Sequence, residues 1–94
     1  MLQKKYLPSI QAIIKKHVSP EARIFIFGSS LTPKRFHDID IGIINGKLTE
    51  YELFKIKDEL EESNIPYIVD VVNMDKVNAG FRNKILKQKV LWLT

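Results

Sequence analysis

The sequence contains no cysteine, only four glycines and four prolines, and no long apolar run. Without cysteine, disulfides and thiolate metal sites are excluded, and a cytoplasmic location is weakly favoured. No stretch approaches the roughly 18 continuous apolar residues of a membrane span. The amino terminus carries positive charge with no apolar segment behind it, so we expect no signal peptide and a cytoplasmic protein.

The composition predicts one soluble globular domain spanning residues 1–94, because 45% of the residues are hydrophobic and 28% are charged. A net charge of +4 and an isoelectric point of about 9.4 favour anionic partners such as nucleotides, nucleic acid or an acidic protein. Direct nucleic-acid binding is not expected, because the chain lacks interleaved aromatic and basic residues and a helix-turn-helix pattern. A membrane partner is not expected either.

The apolar and turn residues predict the order helix, strand, turn, strand, helix, strand, helix, with an extended or helical tail at 90–93. The predicted helices cover 8–17, the stretch from a capping box at 49–52 to 63–64, and a stretch capped by Asp75; the predicted strands cover 23–27, 37–44 and 66–72. This alternation predicts an α/β (α+β) fold, a small mixed sheet of three or four strands with helices packed on it. The short first connection allows direct pairing, and the helix between the last two strands allows a parallel pair.

Five aromatic residues are predicted to lie in the core because they stand in apolar stretches of these elements. They are Phe25, Phe27, Phe54, Phe81 and Trp92. For Trp92 an interface is the alternative.

Three aspartates on predicted strands are the most informative residues. Asp38 and Asp40 lie two apart on one strand, so they share a face and are about 6.6 Å apart along it. Asp70 stands between apolar residues of a later strand, where a carboxylate costs free energy unless it is paired or bound. If the strands are neighbours the carboxylates converge, and one pair at about 6.6 Å costs about 2.5 kcal/mol at an effective dielectric of about 20. A divalent cation would remove that cost, and hard oxygen ligands of this kind suit Mg²⁺.

A glycine and two serines, Gly28, Ser29 and Ser30, follow the first predicted strand. Glycine lets the backbone approach a ligand closely, and backbone N–H groups at such a turn hold phosphate oxygens. The Ser29 hydroxyl adds a further donor.

Each signal taken alone has a structural explanation. Gly28 and Ser29 are more simply a strand end and a cap, and Asp38 with Asp40 could be a solvated acidic pair. Asp70 could face water from an edge strand. The combination predicts phosphoryl or nucleotidyl transfer, because it sets a phosphate cradle beside a divalent-metal site.

Together these motifs resemble the minimal nucleotidyltransferases of the DNA polymerase-beta superfamily, the antitoxin partners of HEPN-domain toxins. The resemblance covers nearly the whole chain. The residues that carry it are Phe27-Gly28-Ser29, Asp38-Ile39-Asp40-Ile41 and Val69-Asp70-Val71.

The resemblance implies a polymerase-beta-like core and a role for each motif residue. Asp38 and Asp40 would hold two Mg²⁺ ions, and Asp70 would complete the metal site and act as base or orient the attacking hydroxyl. Gly28, Ser29 and Ser30 would grip the triphosphate of a nucleotide.

The resemblance also implies an activity and a partner. The chain would be a protein adenylyltransferase-like enzyme that moves a nucleoside monophosphate, AMP from ATP, to a hydroxyl. The acceptor would be a tyrosine of a helical HEPN toxin, which this chain would neutralise as antitoxin. A homo-oligomer and a hetero-oligomer both remain open.

The stretch after Ser29 departs from the family pattern, in which an arginine often follows the glycine and serine. Here the segment at 30–35 ends in Lys34 and Arg35, which could supply the missing charge to the phosphates or form a solvated basic loop. This departure supports a rival function, a catalytically weak binding module that neutralises its partner by contact alone.

Overall fold

A computed structural model describes residues 4–28 and 38–93, except for the side chain of Asp38. A short 3-10 turn, Lys4–Tyr6, precedes the first helix. The helices are α1 (Leu7–Lys15), α2 (Glu50–Glu62) and α3 (Ala79–Lys87), and the strands are β1 (Arg23–Phe27), β2 (Asp38–Ile44), β3 (Ile68–Asn73) and β4 (Leu91–Trp92). Within these residues, none of the helices has the length and apolar character that a membrane crossing requires.

The four strands form one mixed sheet in the order β3, β2, β1, β4. β1 pairs antiparallel with β2 and with β4, whereas β2 and β3 are parallel. The parallel pair follows from its connection, because a crossover through α2 returns the chain to the same end of the sheet. The predicted fold class is confirmed, and the tail at 90–93 supplies the fourth strand.

Isoleucines form one face of the sheet, which packs against α1 and α2. The strand residues of this core are Ile24, Ile26, Ile39, Ile41, Ile43 and Val71, and the helices add Ile10, Ile14, Ile56 and Leu60. Because side chains alternate along a strand, the residues between these isoleucines lie on the opposite face. We call this second face, which contains Asp40 and packs against α3, the acidic face.

The core of the acidic face consists of Phe25, Phe27, Met74 and Ile85. Phe25 is completely buried because its ring lies over Gly42, its register partner on β2. A Cβ at Gly42 would overlap three atoms of that ring. The glycine therefore leaves room for an aromatic layer beside the two aspartate positions.

The helix starts differ in how well the sequence predicts them. The capping box of α2 is confirmed, because Glu52 N donates to Thr49 Oγ1 at 3.1 Å and Thr49 N donates to Glu52 Oε1 at 3.0 Å. The predicted Asp75 cap of α3 is wrong, since Asn78 Oδ1 accepts from the first helical N–H groups instead. Asp75 belongs to a preceding turn, where its Oδ1 accepts from Asn45 N at 3.1 Å.

Three of the five predicted core aromatics are largely exposed. Phe54 is 63% exposed and Phe81 46%, because the buried faces of α2 and α3 are formed by Ile56, Leu60 and Ile85. Trp92 is 39% exposed on the short edge strand β4. The centroids of the Phe25 and Trp92 rings are 5.0 Å apart. The Arg23 guanidinium carbon lies 4.1 Å from the centroid of the Trp92 ring.

A polar cluster joins the end of α1 to α2. Glu59 Oε2 accepts from Lys16 Nζ at 2.5 Å, and Glu59 Oε1 lies 2.6 Å from His17 Nε2. Both hydrogen bonds lower the pKa of Glu59 below its ordinary value of 4.5, and the bond from Lys16 has the larger effect. The folded state therefore favours the ionised form of Glu59 more than the unfolded chain does.

The lowered pKa of Glu59 predicts a pH-dependent contribution to stability. The contribution is present above pH 4.5, where the unfolded chain also ionises this group, and is lost as the pH falls through the lower folded-state pKa. Glu59→Gln should therefore unfold at a lower urea concentration than the wild type at pH 7, with the difference closing at acid pH. Glu61→Gln, an exposed change on the same helix, serves as the control. A difference that stays constant across this pH range would contradict the account.

Candidate functional site

Two aspartates from separate stretches of the chain lie side by side on the acidic face. In the parallel ladder of β2 and β3, Asp40 and Asp70 are direct register partners. Neighbouring strands are about 4.8 Å apart, so residues in register present side chains to the same face. Asp40 is half-buried and Asp70 is exposed, which leaves the pair open to solvent on the β3 side.

Asp38, the third predicted carboxylate, is the first residue of β2 and the register partner of Ile68. Its side chain lies outside the described part of the structure. Among the side chains that are described, no three from His, Cys, Asp and Glu come together as a metal site. The geometry thus gives two neighbouring carboxylate positions, with the backbone of Asp38 two residues before Asp40.

Gly28 directly follows β1 and lies against Asp40. Its φ of +80° belongs to the left-handed region, and a Cβ there would overlap Asp40 Oδ2. Glycine is therefore required both by the backbone conformation and by the approach of the carboxylate. Because Phe27 is the register partner of Asp40, the positions of Gly28, Asp40 and Asp70 follow one another across β1, β2 and β3.

The other predicted phosphate-binding residues lie outside the described residues. They are Ser29, Ser30, Lys34 and Arg35. Their proposed contacts with a nucleotide stay predictions from the sequence.

The chemistry of the site suits a hard divalent cation. Two carboxylates on adjacent strands repel each other, and oxygen ligands of this kind are those that Mg²⁺ takes in proteins. The residues present therefore fit a bound Mg²⁺.

Sequence reasoning missed two lysines near the site. A cavity of about 300 Å³ beside Asp70 is lined by Lys57 of α2 and Lys76 of the turn after β3. A larger cavity of about 750 Å³ lies further along β3 and also includes Lys57. No local pattern marks these lysines, because they line the cavity of Asp70 only through the packing of α2 and of the turn after β3.

The model of one protein family, described as polymerase beta nucleotidyltransferase, matches residues 8–94 of the chain. No curated protein matches the sequence significantly. The family match covers β1, β2 and β3, and therefore both aspartates of the pair and Gly28.

Solved structures from toxin–antitoxin systems share the fold. A chain in the complex of a tri-AMPylated Shewanella oneidensis HEPN toxin with an MNT antitoxin is 19% identical, with a TM-score of 0.75 over 99% of this chain and 72% of that one. A mutant MntA–HpeT toxin–antitoxin structure is 18% identical, with a TM-score of 0.75 over 94% and 71% of the two chains. A toxin–antitoxin structure with AMP-PNP is 19% identical, with a TM-score of 0.76 over 94% and 72%.

Because the paired aspartates repel each other, we expect Asp70→Asn to raise stability without metal and to weaken the stabilisation by Mg²⁺. Asp70→Asn removes a like charge from a cross-strand pair, so without metal the variant should be more stable than the wild type by about 0.2–1 kcal/mol. Adding Mg²⁺ should raise the urea midpoint of the wild type and have little effect on the variant, because only the wild type keeps both carboxylates. Equal Mg²⁺ responses in urea titrations of the two proteins would contradict the metal site.

Proposed function

Because the chain belongs to the polymerase beta nucleotidyltransferase family, we propose that it is an Mg²⁺-dependent enzyme that transfers AMP from ATP to a hydroxyl of a partner protein. The observation that carries this proposal is the register of Asp40 with Asp70, together with the close approach of Gly28 to Asp40. A nucleotidyl-transfer site needs carboxylates next to a phosphate-binding turn. The close approach of Gly28 to Asp40 supports this arrangement.

Three aspartates would hold the metal in this proposal. Asp40 and Asp70 supply carboxylates from neighbouring strands, and Asp38 supplies a third from the start of β2. Bound Mg²⁺, as two ions, would neutralise charge on the phosphates and lower the pKa of the attacking hydroxyl. Asp40 and Asp70 fix the spacing of the ligands, because both belong to one hydrogen-bonded ladder.

The triphosphate of ATP would lie at the Gly28 end of the site. Gly28 has no side chain to hinder a phosphate. The backbone N–H groups of Ser29 and Ser30 would bind phosphate oxygens. Lys34 and Arg35 would add positive charge to this end. The net charge of +4 also favours the approach of an anionic nucleotide.

The transfer step joins the acceptor oxygen to the α-phosphorus of ATP. The bond from the α-phosphorus to the bridging oxygen of the β-phosphate breaks, and pyrophosphate leaves. The hydroxyl proton passes to a carboxylate oxygen of Asp70, which is more exposed than Asp40 and so is open to the acceptor.

We further propose that the acceptor is a tyrosine of a HEPN toxin and that the chain works in the cytoplasm as its antitoxin. Support comes from the shared fold of MNT antitoxins crystallised with HEPN toxins, one of them tri-AMPylated. The identity of 19% limits that support to the fold itself.

A second candidate is a binding module that neutralises its partner without chemistry. One feature favours it: Ser30 stands directly after Gly28 and Ser29, where family members often carry an arginine. In that case the carboxylates would be dispensable for neutralisation.

A transfer assay with labelled ATP separates the two candidates. The wild type should transfer label with Mg²⁺ to the HEPN-domain protein encoded by the neighbouring reading frame. The activity of Asp38→Ala/Asp40→Ala should fall by at least about 100-fold, because metal-assisted transfer requires the carboxylates that this variant lacks. Asp58→Asn, an exposed change on α2, is the matched control and should keep full activity.

If neither the wild type nor Asp38→Ala/Asp40→Ala labels the partner and both still neutralise it, the proposed transferase activity is contradicted and the binding module is supported. The lack of a HEPN-domain reading frame beside this one would contradict the partner.

A further inference from the structure

We propose that this chain self-associates head to tail, with α2 of one copy packing against α3 of the next. The contact joins two surfaces, each formed by exposed residues of one helix. The α2 stripe consists of Tyr51, Phe54, Asp58 and Glu62. The α3 stripe consists of Phe81, Lys84 and Lys87. Neither stripe includes a residue of the aspartate site, so the contact does not depend on the proposed transfer.

The α2 stripe is an exposed row of side chains on the outer side of α2. Its members are spaced i, i+3, i+7 and i+11, so they lie along one side of the helix, whereas Ile56 and Leu60 are buried. Tyr51 is 67% exposed and Phe54 is 63% exposed. The Lys55 ammonium lies 5.5 Å from the centroid of the Tyr51 ring, so Phe54 is the more apolar of the two. Neighbouring aromatic side chains with this exposure are typical of a contact surface.

The two helices have charges of opposite sign. α2 contains six acidic residues and two lysines, a net charge of −4, although the whole chain has a net charge of +4. α3 contains one arginine, two lysines and no acidic residue, a net charge of +3. In the described segments, the acidic residues that form ion pairs are Glu21 and Glu59, so Asp58 and Glu62 keep charges that no ion pair neutralises there. The α3 stripe of a second copy supplies the complementary charge.

The spacing of the two stripes allows an aromatic contact and two ion pairs at once. Both stripes have aromatic residues towards the helix start and charged residues towards the helix end, so a parallel arrangement matches them. With Phe54 opposite Phe81, the first acidic residue lies about 6 Å further along α2 and the first lysine about 4.5 Å further along α3, at a rise of about 1.5 Å per residue. The second acidic residue and the second lysine lie at about 12 Å and about 9 Å. The flexible lysine side chains can span differences of about 3 Å.

The stripes lie on opposite sides of the sheet, so they can meet only between copies. α2 packs on the isoleucine face through Ile56 and Leu60, and α3 packs on the acidic face through Ile85. A contact between two different surfaces is heterologous, and it leaves one α2 stripe and one α3 stripe free at the ends of a dimer. The association therefore continues into a ring or an open chain instead of stopping at two copies.

Charge reversal of either stripe tests this contact. Asp58→Lys/Glu62→Lys reverses the α2 stripe and Lys84→Glu/Lys87→Glu reverses the α3 stripe, and the mean mass in solution is measured by analytical ultracentrifugation of the full chain. At low salt the mass of the wild type should rise with protein concentration from the 10.9 kDa of the monomer past that of a dimer. Added salt should lower it, because salt screens the exposed charges. Each variant should stay monomeric, since like charges then face each other.

A one-to-one mixture of the two variants is the sharpest form of the test. The reversed α2 stripe of one variant complements the reversed α3 stripe of the other, so the mixture should regain the mass that each variant alone lacks. That recovery also shows that both variants are folded.

Glu21→Lys/Glu50→Lys and Lys4→Glu/Lys15→Glu are the matched controls. They change the net charge by the same amounts at exposed positions outside the stripes, so they should associate as the wild type does. Controls that also stay monomeric would reduce the effect to net charge and overturn the inference.

A wild type that is monomeric at every concentration would overturn the inference as well, and so would a mixture that stays monomeric. If the wild type is monomeric and Asp58→Lys/Glu62→Lys no longer binds the HEPN-domain protein, the α2 stripe is a surface for that partner and not for a second copy.

Discussion

The parallel pairing of β2 with β3 is the constraint on which the site depends. It puts Asp40 and Asp70 in register, at a spacing where two carboxylates repel each other in the absence of a cation. The chain keeps this unfavourable pair in a sheet whose opposite face is almost entirely isoleucine. Such a conflict between local electrostatics and an otherwise apolar design is typical of a functional site.

The rest of the fold holds that pair in place. The isoleucine face packs against α1 and α2, and the crossover through α2 makes the β2–β3 pair parallel. On the acidic face, Gly42 admits the Phe25 ring and Gly28 admits the Asp40 carboxylate. Two glycines therefore shape the surface around the aspartates: one makes room for the aromatic layer and the other for the Asp40 carboxylate.

The sequence predicts the aspartate pairing only conditionally, and it predicts the surface around the pair poorly. The two-residue period of β2 puts Asp38 and Asp40 on one face, and the connection through a helix allows a parallel pair. The structure supplies the missing condition, because β3 lies beside β2 with Asp70 in register with Asp40. The apolar stripe of α2 predicts Phe54 in the core, whereas the fully buried residues of this helix are Ile56 and Leu60. The two cavities that Lys57 lines depend on how α2 packs beside an edge strand, and no local pattern encodes that distance. The roles of Ser29 to Arg35 also stay predictions, since those residues lie outside the described part.

The central claim is that carboxylates from β2 and β3 hold a divalent cation beside Gly28. A crystal structure of the chain grown with Mn²⁺ and a non-hydrolysable ATP analogue tests it most directly, through the anomalous signal of manganese. The account predicts Mn²⁺ between the Asp40 and Asp70 carboxylates, with the analogue's phosphates against the Gly28 turn. Manganese bound elsewhere, or phosphates away from Gly28 with no metal at the aspartate pair, would contradict it.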